Sequence, residues 1–157
     1  MSPEMEIRAM TLDDLDSVME IECASFQSPW SRYAFEYDLM HNKYANYFVL
    51  TENEIIVAYG GLWIFETVGH IVNMAVDEQH RRKGHAKKLL DYLLKYGRET
   101  GVERFTLEVR TSNEAAISLY RSNGFIDVGI RPRYYQDNSE DAVIMWTPGE
   151  DGEIRYC

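Results

Sequence analysis

Apolar residues recur along the chain at two different spacings, which predict a mixture of helices and strands. Between Gly84 and Thr100, apolar side chains fall at positions i, i+3, i+4, i+7 and i+8, which is the spacing of one helix face. Between Glu103 and Arg110, apolar and polar residues alternate, as they do on the two faces of a β-strand. The chain therefore combines both kinds of element.

Caps, turns and periodicity locate the elements along the chain. The patterns Thr11-x-x-Asp14 and Thr111-x-x-Glu114 predict capping boxes that begin two of the helices. The pair Gly60-Gly61 inside a predicted strand indicates a bulge or a close backbone approach. The predicted strands span residues 6–10, 44–51, 55–66, 68–76, 103–110, 125–130 and 142–146, and the predicted helices span residues 12–24, 31–40, 84–100 and 111–122.

This order of elements predicts a mixed α+β fold. We expect a mostly antiparallel central sheet of about seven strands, with about four helices distributed over both faces. The strand–helix–strand unit from Val72 to Val109 predicts a right-handed parallel crossover. The N-terminus of its helix then lies at the carboxyl end of a strand, where ligands commonly bind. Residues 1–148 are predicted to form a single domain and residues 149–157 a flexible tail.

Composition narrows the classes of function. The chain has 157 residues, 45% of them apolar, and a net charge of −10, which argues against general nucleic-acid binding. An acidic surface would instead attract a basic partner or a cationic substrate. Cys23 and Cys157 are far apart in the sequence and do not indicate a fold held by disulfides. No spacing of His and Cys residues suggests a metal site. Without a leader or a long apolar run, we expect a cytoplasmic protein with no membrane association.

A basic loop precedes the longest predicted helix. Five of the sixteen Lys and Arg residues lie between Arg81 and Lys88. Positive charge is unfavourable at a helix N-terminus unless an anion such as a phosphate lies there. Gly84 would let the backbone approach that anion closely. The alternative is a solvated basic patch, and the loop lacks the spacing of nucleoside-triphosphate and dinucleotide motifs.

Several single residues are candidates for chemistry, each with a structural alternative. Glu108 lies in mid-strand, where partial burial would raise its pKa toward that of a general base, or it pairs with Arg110 or another cation. Tyr120 could donate a proton to a leaving thiolate, or it could be a core tyrosine. Asn113 could bind a ligand amide or cap a helix. Phe26 and Trp30 bracket a proline loop and could line a groove or cover the core.

At the level of motifs, Arg81-Arg-Lys-Gly-His-Ala86 resembles the Gln/Arg-x-x-Gly-x-Gly/Ala pyrophosphate loop of the GNAT N-acetyltransferase superfamily. The order of elements is similar along nearly the whole chain. Arg81 replaces a common Gln, and Ala86 is one of the two residues that the pattern allows. Further segments resemble the branch that acetylates the N-terminal alanine of a bacterial ribosomal protein: Pro29–Ser31, Leu107–Asn113, Ala115–Tyr120, Asn123–Phe125, Arg131–Tyr135 and Glu140–Met145.

The resemblance implies an N-terminal acetyltransferase that uses acetyl-CoA, without a metal, on a protein N-terminus such as that of a ribosomal protein. Glu108 would be the general base and Tyr120 the general acid. The implied donor-binding residues are Met74, Ala75 and Val76 for the pantetheine, Arg81, Arg82, Lys83, Gly84, His85 and Ala86 for the pyrophosphate, and Asn113. The implied walls of the acceptor groove are Phe26, Trp30, Arg133 and Tyr134.

Two other functions remain open from the sequence. The chain could acetylate a lysine side chain or a small-molecule amine, which peptide profiling would separate from N-terminal acetylation. It could also be a non-catalytic subunit that binds acetyl-CoA and regulates a complex. The presence of both Glu108 and Tyr120 argues against the second alternative, because both proton-transfer candidates are retained.

Overall fold

A computed structural model describes residues 3–149 of the chain and confirms the predicted number and order of elements. From residue 150 onward, the predicted tail lies outside the described residues. The strands are β1 (Met5–Ala9), β2 (Ala45–Glu52), β3 (Ile55–Phe65), β4 (Val68–Val76), β5 (Arg104–Arg110), β6 (Ile126–Arg131) and β7 (Ala142–Trp146), and the helices are α1 (Leu15–Ser25), α2 (Arg32–His41), α3 (His85–Glu99) and α4 (Glu114–Ser122).

The seven strands form one sheet in the order β1-β2-β3-β4-β5-β7-β6. Every neighbouring pair is antiparallel except β4 and β5, which are parallel. Helix α3 connects these two strands, so the parallel crossover predicted from the sequence is confirmed. The crossover brings the carboxyl ends of β4 and β5 to the same edge of the sheet.

Strands β4 and β5 pair along only a short stretch and then part. Their register joins Val68 to Arg104, Gly69 to Phe105 and His70 to Thr106, and it ends there. From residue 71 to residue 76, β4 continues without a strand partner on the β5 side. The sheet is therefore split at the carboxyl ends of its two central parallel strands.

Helices cover both faces of the sheet, as the sequence predicts. On one face, α3 and α4 pack against the sheet through a core that includes Leu89, Leu93, Ile117 and Phe105. On the other face, α1 and α2 pack through Leu15, Val18, Ile21 and Phe35. The alternation predicted for β5 is also observed, because Phe105, Leu107 and Val109 are buried.

Strand β3 carries the irregularity that its paired glycines predict. The register of β3 against β4 shifts between Gly60 and Leu62, as expected for a bulge. The ring of Tyr47 lies so close to Gly61 that an added Cβ atom would be 2.3 Å from the ring carbon Cε1. Both expectations for this glycine pair, a bulge and a close approach, are confirmed.

Helix α4 begins later than predicted. Its N-cap is Asn113, whose side chain accepts a hydrogen bond from Ala116 N–H at 3.2 Å. The predicted capping box of Thr111 with Glu114 is therefore wrong, and Glu114 is the first helical residue. The capping role weighed for Asn113 is confirmed. The first capping box is confirmed, since Thr11 N–H donates to Asp14 Oδ2 at 2.8 Å.

Candidate active site

A cavity of about 890 Å³ opens where β4 and β5 part. Its walls come from the end of α1 and the loop after it, from β4 and β5, from α4, and from the loop between β6 and β7. We call it the central cavity. Seven of the residues predicted to act in catalysis or binding line it: Phe26, Trp30, Met74, Glu108, Asn113, Tyr120 and Tyr134.

The remaining predicted residues lie outside the lining of this cavity. Ala75 and Val76 are buried at the end of β4, and Arg133 lies on the β6–β7 loop with its backbone at a φ of 51°. The basic loop from Arg81 to Ala86 precedes and begins α3 and is likewise not part of the lining.

Glu108 forms a close pair with a residue that the sequence did not single out. His70 Nε2 lies 2.6 Å from Glu108 Oε2, and the carboxylate side chain is 15% exposed. Burial acts to raise the pKa of Glu108, but the hydrogen bond from His70 and the charges of His70 and Arg131 outweigh it, so the pKa is lowered. The raised pKa expected from the sequence is therefore wrong. The alternative of a partner on the sheet face is correct, but that partner is His70, which is charged only when it is protonated, and not Arg110.

Tyr120 is both a core residue and a cavity residue. Its ring packs edge-on against Phe125 at 5.5 Å, and its side chain is almost fully buried at the cavity wall. Burial, with a smaller contribution from Tyr135, raises the pKa of Tyr120, so its phenol keeps its proton at neutral pH. No described residue forms a hydrogen bond with that hydroxyl. Tyr120 therefore presents an available proton donor.

Glu22 is a second buried carboxylate in the cavity wall, and sequence reasoning missed it. It accepts hydrogen bonds from the Tyr59 hydroxyl, from Asn73 Nδ2 at 3.2 Å and from the Trp30 backbone N–H at 2.8 Å. Burial raises its pKa above the ordinary value. The available signal was an acidic residue directly after Ile21, on the apolar face of α1. The three donors fix the loop that carries Trp30 against the sheet.

The basic loop leaves backbone donors unused at the start of α3. Among the residues that the structure describes, none accepts a hydrogen bond from the backbone N–H of Gly84, His85 or Ala86. Gly84 has a φ of 80°, in the left-handed region that glycine tolerates. Arg81 Nε donates to the Val76 carbonyl oxygen at 3.1 Å and so ties the loop to the end of β4. An anion would find free N–H groups here.

His85 lies beneath that loop rather than on it. Its side chain is buried, and neither ring nitrogen has a hydrogen-bond partner among the described residues. Glu52 Oε2 lies 3.6 Å from His85 Nε2 and 3.8 Å from His80 Nε2, and it also has no hydrogen-bond partner among the described residues. Burial lowers the pKa of His85 although the charge of Glu52 opposes the shift. The imidazole is therefore neutral at neutral pH and adds no cation to the loop.

Arg110 organises the opposite wall of the cavity. It forms salt bridges with Asp137 at 2.7 Å and Glu140 at 3.3 Å, and its guanidinium lies 4.0 Å from the centroid of the Tyr135 ring. These contacts hold the β6–β7 loop, which also supplies Tyr134. The cavity wall thus carries four carboxylates and one arginine: Glu22, Glu108, Asp137, Glu140 and Arg110.

Residues 3–149 contain neither a candidate metal cluster nor a membrane-spanning helix. No group of three or more His, Cys, Asp or Glu side chains in this range could hold a metal ion. None of the helices described there is long and apolar enough to cross a membrane.

Comparison with known proteins identifies relatives along most of the chain. A model of the acetyltransferase (GNAT) family matches residues 15–125. A putative [ribosomal protein bS18]-alanine N-acetyltransferase of Bacillus subtilis is 38% identical over 146 residues, which cover 93% of this chain and 97% of the relative. The [ribosomal protein bS18]-alanine N-acetyltransferase of Escherichia coli K12 is 36% identical over 144 residues, which cover 90% of this chain and 96% of the relative.

The fold has a close solved counterpart. The crystal structure of the ribosomal-protein-S18-alanine N-acetyltransferase from Escherichia coli superposes with a TM-score of 0.86 at 34% identity. The superposition covers 98% of this chain and 100% of the other. The similarity in sequence and the similarity in structure therefore extend over the same, nearly complete length.

Proposed function

Because the chain belongs to the acetyltransferase (GNAT) family and is an acetyl-CoA-dependent N-acetyltransferase, we propose that its acceptor is the N-terminal alanine of a ribosomal protein. The observation that carries this proposal is the 38% identity to a bS18-alanine acetyltransferase across 93% of this chain and 97% of the relative. An acceptor of this kind also assigns the enzyme to the cytoplasm, where ribosomal proteins are made.

Two features of the fold support a site for the donor. The edge of β4 beyond His70 has no strand partner, so Met74, Ala75 and Val76 can offer backbone groups to the pantetheine as an added strand would. The free N–H groups of Gly84, His85 and Ala86 suit the pyrophosphate. In this assignment Arg81, Arg82 and Lys83 complete the loop. Asn113, at the cavity wall, contacts the pantetheine.

The arrangement of acid and base supports direct transfer of the acetyl group. Acetyl-CoA supplies the acetyl thioester. An α-amine has a reference pKa of roughly 7.7–8.0, so at neutral pH a base must remove a proton before the nitrogen can attack. Glu108 supplies the carboxylate for this step, and Tyr120 protonates the departing thiolate. Both side chains line the same cavity, in which the amine and the thioester would meet.

The charge of the cavity favours a cationic acceptor. Four carboxylates and one arginine line it, so its wall attracts a protonated amine. Phe26, Trp30 and Tyr134 form the apolar part of the wall, against which the first side chain of a peptide can pack. Arg133 stands on the same loop as Tyr134, outside the cavity lining, and is assigned to the following residues of the acceptor.

A peptide-profiling experiment tests the acceptor. The purified protein is incubated with acetyl-CoA and short peptides that begin with Ala, Gly, Ser, Met or Glu, and thiol release and peptide mass are recorded. We expect acetylation of the α-amine, fastest for Ala. The matched control is the same Ala peptide with a blocked N-terminus and an internal lysine. Preferential acetylation of that lysine, or of a polyamine, would contradict the proposal.

A further inference from the structure

We propose that His70 is a further catalytic residue, which accepts the proton of the acceptor amine while Glu108 orients and stabilises its ring. The inference rests on the proposed function and assigns one step of it to a different atom. It starts from the 2.6 Å contact between His70 Nε2 and Glu108 Oε2 across the β4–β5 junction. Both residues line the central cavity.

The contact fixes which ring nitrogen carries the proton. The lowered pKa of Glu108 makes it an ionised carboxylate at neutral pH, and such a group can only accept hydrogen bonds. Nε2 of a neutral His70 must therefore carry the hydrogen, which leaves the lone pair on Nδ1. Among the described residues none hydrogen-bonds to Nδ1, and it is not one of the fully buried unpaired atoms. Nδ1 is thus the open basic atom of the pair.

The position of the ring is fixed from two sides. Trp63 of β3 meets it edge-on, with ring centroids 6.2 Å apart, and Glu108 of β5 holds Nε2. His70 is also the last residue at which β4 still pairs with β5. Its side chain therefore stands where the sheet opens into the cavity, while the strands beneath it remain joined.

An imidazole suits this step better than the carboxylate does. Glu108 has a lowered pKa and is a weak base toward an ammonium group, whereas imidazole is the side chain that ordinarily changes charge between pH 5 and 8. The carboxylate contributes its negative charge, which stabilises the imidazolium formed when Nδ1 accepts a proton. Glu108 is then a positioning residue.

The protons balance over one turnover. The acceptor nitrogen begins with three protons and ends, as an amide, with one. The first proton goes to His70 Nδ1 and leaves to solvent. The second is lost once the nitrogen has bonded to the acetyl carbon, and it replaces the proton that Tyr120 gave to the thiolate. The N–C bond forms and the C–S bond breaks without any redox change.

The charged and titratable groups around the pair are Arg131, Tyr134 and Tyr135. Arg131 of β6 acts on Glu108 through its charge and favours the ionised carboxylate. Tyr134 and Tyr135 in the next loop also feel the charge of Glu108; burial raises the pKa of both phenols, that of Tyr135 to about 12, so they stay neutral between pH 6.5 and 9. Trp63 has no titratable group.

The test compares His70→Gln with the wild type across pH 6.5–9, using the Ala peptide and kcat/KM. Glutamine can keep a hydrogen bond to Glu108 but cannot accept a proton. We expect at least a tenfold loss at pH 6.5, on the order of a general-base contribution. The loss should shrink to about twofold at pH 9, because the amine then loses its proton in solution. A loss independent of pH, or no loss, overturns the role of His70.

Matched variants complete the design. His41→Gln changes an exposed histidine of α2 outside the cavity and should leave the profile unchanged. Glu108→Gln should show the same dependence on pH as His70→Gln, and the double variant should be no slower than the slower single variant, because the two act as a unit. Additive losses would overturn the paired role.

Folding and function are controlled separately. If circular dichroism shows that His70→Gln does not fold, kcat/KM relative to the wild type is measured across the same pH range with His70→Asn, whose amide reaches the position of Nδ1. The outcomes that support or overturn the role of His70 are then the same. A wild type that acetylates no peptide N-terminus would refute the proposed function. If the wild type is active but the ratio of its kcat/KM to that of His70→Gln does not change with pH, only the role of His70 is refuted.

Discussion

Arg110 Nη2 lies 2.7 Å from Asp137 Oδ2, so the last residue of β5 is joined to the loop between β6 and β7. The second guanidinium nitrogen reaches Glu140, and the whole group stacks on Tyr135. A planar guanidinium can donate hydrogen bonds in its plane, here to Asp137, Asn138 and Glu140, while its face stacks on a ring, a geometry that a lysine ammonium does not offer. Arg110 therefore helps to hold the β6–β7 loop in its position at the wall of the central cavity.

Replacing Arg110 by Met should weaken binding of the acceptor. The loop loses two salt bridges and its stacking partner, so we expect KM for the Ala peptide to rise by about tenfold, the equivalent of ~1.4 kcal/mol. CoA affinity, measured by calorimetry, should change less than twofold. Arg32→Met is the matched control, because Arg32 also pairs with two carboxylates, Asp16 and Glu36, but on the exposed surface. An unchanged KM for Arg110→Met would contradict this account.

Replacing Tyr120 by Phe should slow the transfer of the acetyl group without loss of CoA binding. The hydroxyl has no hydrogen-bond partner among the described residues, so its removal leaves the packing against Phe125 intact. We expect kcat to fall by a factor on the order of 10²–10⁴, the usual contribution of a general acid. Thiol release under saturating peptide measures kcat.

The control for this substitution is Tyr92→Phe. Tyr92 lies on α3 and packs against Phe48 of β2, with ring centroids 5.0 Å apart. It does not line the cavity. The control removes the same hydroxyl from another tyrosine of the same protein. Wild-type turnover in Tyr120→Phe, together with wild-type turnover in the control, would exclude Tyr120 as the acid.

Glu140 should make stability depend on pH in the acid range. Hydrogen bonds from Ser112, from its side chain and its backbone N–H, hold the pKa of Glu140 at about 2, below the ordinary value of 4.5. A depressed pKa in the folded state stabilises the protein above pH 4.5, and this contribution is lost as the pH falls toward 2. Glu140→Gln should therefore lower Tm at pH 7, and the difference from wild type should shrink steadily below pH 4.5.

Thermal unfolding of both proteins at pH 7, 5, 4 and 3 gives this difference directly. Glu20→Gln serves as the control, since Glu20 is an exposed residue of α1 whose side chain has no partner among the described residues. Its Tm difference from wild type should stay near zero at every pH. A difference for Glu140→Gln that does not change with pH would show that the charge is not responsible.

Two glycines in strands should differ in how much a substitution by alanine changes stability. A Cβ at Gly61 would lie 2.3 Å from Tyr47, whose ring cannot move easily because its hydroxyl donates to Asp38 at 2.7 Å. We expect Gly61→Ala to lower the free energy of unfolding by at least about 1–3 kcal/mol. Gly129→Ala in β6 meets no atom within 4 Å and should change it by less than about 0.5 kcal/mol. Urea unfolding measures both, and equal values would contradict the proposed clash.

Local patterns were sufficient for the order of elements but not for every boundary. Thr111 and Asn113 are both good caps, and only the conformation of the chain after β5 decides between them. The bulge at Gly60 and Gly61 was predictable because glycine weakens a strand interior and is favoured there chiefly at bulges and close approaches. Elements with strong periodicity, such as α3, were recovered within one residue at each end.

Long-range partners determine the features that local patterns could not supply. His70 and Glu108 are 38 positions apart, and their contact depends on the register of two strands joined through a helix. The direction of the pKa shift of Glu108 depends on that contact, because burial alone acts in the opposite direction. Glu22 was likewise missed, since its donors come from β3, β4 and the loop after α1.

Between residues 71 and 76, the open side of β4 presents peptide groups, which are nearly the same whatever side chains the strand carries. The part of the central cavity that Phe26, Trp30 and Tyr134 line, in contrast, is made of side chains from two loops. Substitutions over evolutionary time can therefore change these side chains, while the peptide groups at the open edge of β4 remain the same. Descendants of such a scaffold can diverge in what they modify and still share a common donor.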